Sequence, residues 1–180
     1  MDEEIIKRVQ EGDKEAFGEI VDKYEKKLFW YIKRLINQPE EEVEDVLQEV
    51  FVSAYINILG FETTKKFSSW IYRIAHNKAV DYIKSAKNRH HGGKIDEEWE
   101  ENIEDKKKLI EDLEIEKDER RRVRKAVGGL ELKYREVVEL YYFDEKSYEE
   151  ISDILRIPVN NVGILLYRAK KKLKKDLSNE

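Results

Sequence analysis

The chain has 180 residues, of which 42% are charged and none is cysteine, so disulfides and thiolate metal sites are excluded. No apolar run approaches the ~18 residues that suggest a membrane span. The acidic start, MDEEIIKRVQ, is unlike a signal peptide, and we therefore expect a cytoplasmic, helix-rich protein.

Charge is unevenly distributed along the chain, whose formal net charge is −5. Residues 1–91 carry 15 basic and 17 acidic side chains, residues 92–119 carry 5 and 13, and residues 120–180 carry 15 and 10. A local basic surface matters more for binding nucleic acid than the charge of the whole chain. The last third is therefore the natural candidate for binding DNA, whereas the middle segment would repel it.

Three long helices are predicted in the first half of the chain. Apolar residues recur at helical spacing from an N-cap at Asp13 to about Asn37, and again after Pro39 until Gly60 ends the run. A polar connection leads to a third helix, from about residue 68 to 87. No segment shows the alternation typical of a half-buried strand, so we expect an all-α fold.

A break and an acidic segment separate this first helical set from a second one. His90 and His91 are followed by two glycines, and the segment up to Glu119 is too charged to form a core alone. Helical periodicity returns near Lys117. We therefore expect two small helical domains, residues 1–91 and 117–180, joined by an acidic linker, residues 92–116, with few contacts between the domains.

The clearest local signal lies near the end of the chain. Ser147 and Glu150 have the Ser-x-x-Glu spacing of a capping box at the start of a short helix, SYEEISDIL. That helix ends at Arg156-Ile157-Pro158 and is followed by a final amphipathic helix, VNNVGILLYRAKKKLKK. Two helices separated by a short turn, the second one basic toward its end, predict a helix-turn-helix.

Three segments, in this order, resemble the extracytoplasmic-function (ECF) sigma factors of bacterial RNA polymerase. The helix that docks on core polymerase is matched by VEDVLQEVF (43–51), and the promoter-melting helix by FSSWIYRIAHNKAVDYIK (67–84). The stretch 132–175 resembles the domain that reads the upstream promoter element. The resemblance covers nearly the whole chain apart from the linker. It implies a subunit that binds core RNA polymerase and promoter DNA and directs promoter recognition, melting and transcription initiation.

The first motif supplies candidates for binding the polymerase core. Asp45, Gln48 and Glu49 lie near the outer face of a helix whose inner face is apolar. The resemblance implies that this polar edge meets a basic helical hairpin of the largest polymerase subunits. Without the other motifs, charge at these positions would more simply indicate a solvated helix face.

The second motif combines aromatic, polar and basic side chains. Opening a duplex requires flat surfaces for unstacked bases and positive charge for the backbone. Trp70 is explained more readily by core packing than by base stacking, and the simple alternative for His76 is a surface position. Arg73, Asn77 and Lys78 are the stronger candidates. The full set is Trp70, Tyr72, Arg73, His76, Asn77 and Lys78, with Lys65 and Lys66 in a preceding loop that helps form a flipped-base pocket in the family.

The third motif supplies a groove-reading helix. Residues in the first turns of such a helix can reach base edges in the major groove, and basic residues farther along suit phosphates. The alternative for the basic end is a solubilising helix terminus that is favoured by the helix dipole. The candidates are Ser147, Asn160, Asn161, Ile164, Arg168, Lys170, Lys171 and Lys172.

This helix departs from the family at three consecutive positions. The typical pattern there is a basic, a small polar and a second basic residue, whereas this chain has Gly163, Ile164 and Leu165. We therefore expect weak reading of the upstream element, a deficit that an additional DNA-targeting protein would offset. The alternative is that Asn160 and Asn161 read an unusual element without help.

Two further points stay open from composition alone. The acidic linker is either a solvated spacer or, as the resemblance implies, an anionic mimic of nucleic acid in the polymerase channel. Members of the family are also commonly restrained by an anti-sigma factor, but no residue here identifies one.

Two other classes of protein compete with this interpretation. A helix-turn-helix regulator that is not a polymerase subunit would need only the last motif, with the N-terminal helices serving dimerisation or signal sensing. An enzyme is disfavoured, because the chain has neither a glycine-rich phosphate loop nor a nucleophile–base constellation. His90-His91 in a flexible break makes a poor metal site. We expect no enzymatic activity, no cofactor and no metal.

Overall fold

A computed structural model describes residues 2–89 and 110–178, and within these ranges all regular structure is helical. None of the helices in these ranges combines the length and the apolar character required to cross a membrane. The α-helices are α1 (Asp2–Gln10), α2 (Ala16–Ile36), α3 (Glu40–Asn57), α4 (Phe67–Arg89), α5 (Ile110–Gly128), α6 (Leu132–Val138), α7 (Tyr148–Leu155) and α8 (Val159–Ser178), with a 3-10 turn at Ile58–Gly60 and a π-helical turn at Glu139–Phe143.

Helix α2 lies at the centre of the N-terminal unit, because its apolar residues face neighbours on several sides. It packs against α1, α3 and α4, and Leu28, Tyr31 and Ile32 on it are fully buried. Burying an aliphatic side chain of this size stabilises a fold by roughly 1.5–3 kcal/mol. The apolar stripes read from the sequence therefore supply the core of this unit.

Helix α1 is absent from the sequence-based prediction, and α2 begins slightly later than expected. Ile6 and Val9 on α1 are buried, and α1 packs against α2. Asp13 still caps the chain that enters α2, since its Oδ1 accepts the backbone N–H groups of Glu15 and Ala16, each at 3.1 Å. The spacing of Ile6 and Val9 was the signal for α1, but it spans too few residues to stand out.

The predicted helix-turn-helix is formed by α7 and α8. Ser147 Oγ accepts the backbone N–H of Glu150 at 3.2 Å, and the Glu150 carboxylate accepts the backbone N–H of Ser147 at 3.0 Å, which confirms the capping box. Helix α7 is followed by its C-cap residue Arg156, which adopts a left-handed conformation with a φ of 54°. Val162 and Leu166 bury the inner face of α8.

Helix α5 begins at Ile110, so the end of the predicted linker is helical. The predicted break at residues 90–93 and the acidic segment up to residue 109 lie outside the described residues. After α5, helix α6 is continued by the π-helical turn, so helical structure persists from Leu132 to Phe143.

The expectation of few contacts between the two helical units is wrong. Helix α4 packs along α7, and α2 contacts both α6 and the π-helical turn. The buried residues of both units belong to one apolar cluster. One physical reason is that Tyr72 of α4 is buried between Tyr31 of its own unit, at a ring-centroid distance of 5.3 Å, and Asp144 of the second unit, to which its hydroxyl donates.

Replacing Ser147 with alanine should destabilise the protein by about 1 kcal/mol, because the substitution leaves the Glu150 backbone N–H without its side-chain acceptor. Urea denaturation measures the loss. Ser85→Ala, at an exposed position within α4, is the control and should not destabilise, because alanine is the better helix former. Equal midpoints for Ser147→Ala and the native chain would show that the capping box contributes nothing to stability.

Candidate polymerase and promoter surfaces

The first candidate surface runs along the outer face of α3. Asp45, Gln48 and Glu49 are exposed, while the neighbouring Val46 and Val50 are buried. The helix therefore orients the three polar side chains toward solvent. The Glu49 carboxylate accepts a hydrogen bond from Lys78 Nζ of α4 at 3.1 Å, so this surface adjoins the second candidate surface.

The same face continues as an apolar strip that the sequence analysis did not identify. Val52 and Ile56 follow Glu49 at helical spacing, and Ile56 is 68% exposed. Tyr55 is exposed at one edge of this strip, where its ring contacts Phe17 at a centroid distance of 5.1 Å. A polar edge that continues into exposed apolar side chains has the mixed chemistry of a protein-binding surface.

The second candidate surface is the outer face of α4. Trp70 is half-buried against Phe61 and Phe67, at ring-centroid distances of 5.1 and 5.3 Å, as core packing predicts. Arg73 and Asn77 follow on the same helix face at spacings of three and four residues, and Asn77 is exposed. The structure thus places a basic and an amide side chain on the helix face that begins with the aromatic ring of Trp70.

The lysines assigned to this region lie at its margins. Lys65 pairs with Glu62 at 3.1 Å, and both side chains are exposed. Lys66 approaches Glu150 of α7 at 3.7 Å and is also exposed. Lys78 points toward Glu49 on α3. Each lysine therefore has an acidic neighbour with which DNA would compete.

Tyr72 and His76 lie between the two units rather than on the outer face of α4. The Tyr72 hydroxyl donates to Asp144 at 2.9 Å, and its ring is buried. His76 lies between Tyr31, at 3.3 Å, and Glu136, at 4.0 Å. In this packing neither ring is presented to nucleic acid, and the surface position considered for His76 is wrong.

The contact between His76 and Glu136 joins two groups that burial keeps uncharged over part of the pH range. Burial lowers the pKa of His76 to about 4 and raises the pKa of Glu136 to about 7. The charged form of each group is disfavoured because it would lose its hydration. At a pH between these two values both groups are neutral, so the contact is not an ion pair there.

A charged cluster between the units was not foreseen from the sequence. Arg34, at the end of α2, is 17% exposed and donates hydrogen bonds to Glu139 and, at 2.6 Å, to Asp144. The two carboxylates are 4% and 7% exposed. Burial raises the pKa of both carboxyl groups, and Arg34 opposes that shift. Arg34 therefore favours the charged form of two carboxyl groups in a place that water hardly reaches.

Lys146 adds a second link across the same contact. Its Nζ donates to Ser68 Oγ of α4 at 2.7 Å and lies 4.1 Å from the centre of the Tyr72 ring. Burial lowers the pKa of Lys146. These contacts, with those of Arg34, make the boundary between the units partly polar as well as apolar.

The third candidate surface is the outward face of α8. Asn160 and Asn161 are exposed in its first turn, and Arg168 and Lys171 are exposed farther along. Ser147 is occupied by its capping role. Lys172 donates to Glu131 at 2.9 Å, and Lys170 lies 5.5 Å from the centre of the Tyr142 ring.

Gly163 has a packing role that the sequence did not reveal. A Cβ at this position would lie 3.4 Å from Cε2 of Tyr148, so the Tyr148 ring covers the glycine. Leu165 is partly buried and packs against the core. Of the three positions that depart from the family pattern, Ile164 is the one whose side chain is exposed.

Within residues 2–89 and 110–178, no three His, Asp or Glu side chains form a group that could hold a metal ion.

Comparison with known proteins identifies the family. Models of Sigma-70 region 2 and of Sigma-70, region 4 match residues 20–89 and 120–173. The ECF RNA polymerase sigma factor SigW of Bacillus subtilis (strain 168) is 35% identical over 181 residues, covering 96% of this chain and 94% of SigW.

Two solved structures share the fold. CnrH, in complex with the cytosolic domain of CnrY, has a TM-score of 0.74 at 24% identity and covers 99% of this chain and 98% of its own. The sigma factor RpoE, in complex with the anti-sigma factor NepR from Bartonella quintana, has a TM-score of 0.72 at 18% identity. The match covers 90% of this chain and 96% of RpoE. On the family models and the match to SigW, the chain belongs to the ECF family of RNA polymerase sigma factors.

Proposed function

We propose that the chain binds core RNA polymerase and directs it to promoters, where it supports recognition, melting and transcription initiation. It acts as a specificity subunit in the cytoplasm and catalyses no reaction itself. Residues 1–91 form the unit that binds polymerase and melts DNA, and residues 117–180 form the unit that contacts the upstream element. The observation that carries this proposal is the juxtaposition of the α3 and α4 surfaces, which the Glu49–Lys78 contact joins.

The α3 surface is the proposed polymerase-binding site. Its polar part, Asp45, Gln48 and Glu49, can pair with basic groups of a partner, while Val52 and Ile56 offer apolar area to bury. Charge complementarity at the edge of such a surface mainly sets orientation and association rate, whereas the apolar part supplies affinity. This division of roles suits a subunit that binds one large partner specifically.

The outer face of α4 is the proposed melting surface. Arg73 and Asn77 can hydrogen-bond to a displaced base or to a phosphate, and Lys65, Lys66 and Lys78 add positive charge around them. Capturing unstacked bases combines stacking, hydrogen bonds and backbone charge. His76 and Trp70 position this surface rather than contact DNA. His76 lies between the units, and Trp70 lies in an aromatic cluster.

A protein inhibitor is the further partner that we propose. The RpoE structure contains the anti-sigma factor NepR, and this chain shares the RpoE fold. The exposed apolar strip on α3 offers an inhibitor the same area that it offers polymerase. An anti-sigma factor that covered this strip would compete directly with the polymerase.

Reconstitution with core polymerase tests the proposed function. We expect the purified chain to co-elute with core polymerase and to produce transcripts from a defined set of start sites when genomic DNA is the template. Sequencing these transcripts would also define the promoters. A chain that binds DNA but neither co-elutes with polymerase nor changes its start sites would instead be an independent helix-turn-helix regulator.

Replacing Arg73 and Asn77 together with alanine should reduce promoter melting at least about tenfold, because hydrogen bonds from charged groups contribute about 1.5–3 kcal/mol. Permanganate reactivity of unpaired thymines measures the melting, and co-elution measures polymerase binding. Lys26→Ala, which removes a positive charge from an exposed position on α2, is the control and should change neither. Parallel loss of melting and polymerase binding would assign Arg73 and Asn77 to the fold or to the polymerase contact.

A further inference from the structure

The outward face of α8 has an unusual order of chemistry along its length. Asn160, Ile164 and Lys171 lie at helical spacing on the side opposite the buried Val162 and Leu166. The face begins with amide side chains, continues with Ile164, 48% exposed, and Tyr167, 69% exposed, and becomes basic only beyond them.

Local packing leaves two positions in the middle of this face without an outward side chain. The Tyr148 ring covers Gly163, and Leu165 turns toward the core, so neither contributes an outward side chain of its own. Ile164 and Tyr167 are therefore the exposed side chains that a DNA duplex would meet between the asparagines and Arg168, and Ile164 is the one in the first turns of the helix. Its exposure is a consequence of the helix register and does not require any rearrangement.

Each base presents different groups in the major groove, so amide, aliphatic and basic side chains favour different bases. An asparagine amide can bond simultaneously to N6 and N7 of adenine, and an aliphatic group contacts the 5-methyl group of thymine, whereas guanine is read chiefly by arginine or lysine. The first turns of a recognition helix are the part that reaches base edges. Here those turns, residues 159–165, contain no basic residue. Arg168 and Lys171 lie farther along, where they suit phosphates.

We propose that this helix-turn-helix reads an upstream element of A·T base pairs. Asn160 and Asn161 bond to adenine, and Ile164 contacts a thymine methyl group. The proposal rests on the proposed function, because it takes the outward face of α8 as the DNA-contacting face. Removing one contacted methyl group should weaken binding about fourfold, the effect of exposing one methylene-sized group.

The test uses the full chain, alone and in complex with core polymerase, on a randomised duplex library at fixed salt. We expect enrichment of a short A·T element. In that element, exchanging the contacted thymine for uracil should weaken binding by the native chain about fourfold and binding by Ile164→Ala less, because alanine keeps only one methyl group. Asn161→Ala should lose preference for adenine. Arg168→Gln, the matched control for phosphate contact, should weaken binding to all sequences alike and reduce its salt dependence.

Three results would overturn the inference: enrichment of a G·C element, a uracil exchange without effect on the native chain, or salt-sensitive binding without sequence preference. The last result would support the weak reading expected from the sequence, or a protein rather than DNA as the ligand of this face. Failure of the chain to co-elute with polymerase would contradict the proposed function separately, because base preference is also measured on the chain alone.

Discussion

Replacing Arg34 with methionine should undo the packing between the two helical units, with a loss of about 3–5 kcal/mol, the usual effect of removing one partner from a buried ion pair. The substitution leaves the carboxylates of Glu139 and Asp144 without their cation in a nearly buried place. We expect the radius of gyration from small-angle scattering to increase and the urea midpoint to fall. The helices of each unit should persist in circular dichroism, because Arg34 lies between the units and not within either core.

The pH dependence of this variant gives a second readout. An unpaired buried carboxyl group has a raised pKa, so the packed form of the variant takes up protons that the separated form does not. Its stability is then lost as pH rises through the raised pKa and partly returns as pH falls toward the ordinary range of a carboxyl group. The native chain should show a smaller return, because Arg34 opposes the rise in both pKa values.

Two controls distinguish the effect of an unpaired buried charge from the effect of losing the Arg34 side chain. The triple variant Arg34→Met, Glu139→Gln, Asp144→Asn leaves no buried charge uncompensated and should be destabilised less than Arg34→Met alone. Lys65→Met breaks an exposed ion pair and should change little. If Arg34→Met shifts the urea midpoint no more than Lys65→Met, the cluster does not stabilise the packing of the units.

Reversing the charge of Asp45 and Glu49 together, to lysine, should weaken binding to core polymerase at least about 100-fold. Losing charge pairs at an interface removes about 2–5 kcal/mol, and the introduced lysines add repulsion against a basic partner. Both residues are exposed, so helicity and melting temperature should stay close to those of the native chain. Binding is measured by titration with labelled core polymerase at fixed ionic strength.

The matched control is Asp22→Lys with Glu25→Lys, which changes the net charge equally at exposed positions of α2. It should retain native affinity if the effect is local to α3. Lys78→Gln is needed as well, because reversing Glu49 also removes the contact with Lys78. Polymerase binding that survives the reversal of Asp45 and Glu49 would locate the interface elsewhere.

Local patterns in the sequence predict most of the helices, and for a physical reason. The apolar stripes of α2 and α3 and the Ser147 capping box depend on residues a few positions apart, so their spacing alone reveals them. The resemblance extends this to the order of the motifs and to the family. Helix α1 was missed because it is short and its apolar signal is only Ile5, Ile6 and Val9.

The packing between the units could not be predicted in this way. Arg34 pairs with residues more than a hundred positions away, and basic residues in the last turn of a helix are common without any such partner. For the candidate sites, the sequence identified the polar residues of α3 and α4 but not the exposed strip at Val52 and Ile56. The departure at Gly163 looked like a lost charge, and only the position of the Tyr148 ring shows that a small residue fits there.

The Glu49–Lys78 contact links two surfaces that are proposed to bind different partners. A polymerase group that takes up Glu49 leaves the Lys78 ammonium without its carboxylate, and a phosphate that takes up Lys78 leaves Glu49 available. Such coupling is reciprocal, so each ligand raises the affinity of the other by the same factor. An exposed pair of this kind contributes up to about 1 kcal/mol, which limits the cooperativity to roughly fivefold. If both proposed roles hold, binding of polymerase at Glu49 would leave Lys78 available to a DNA phosphate.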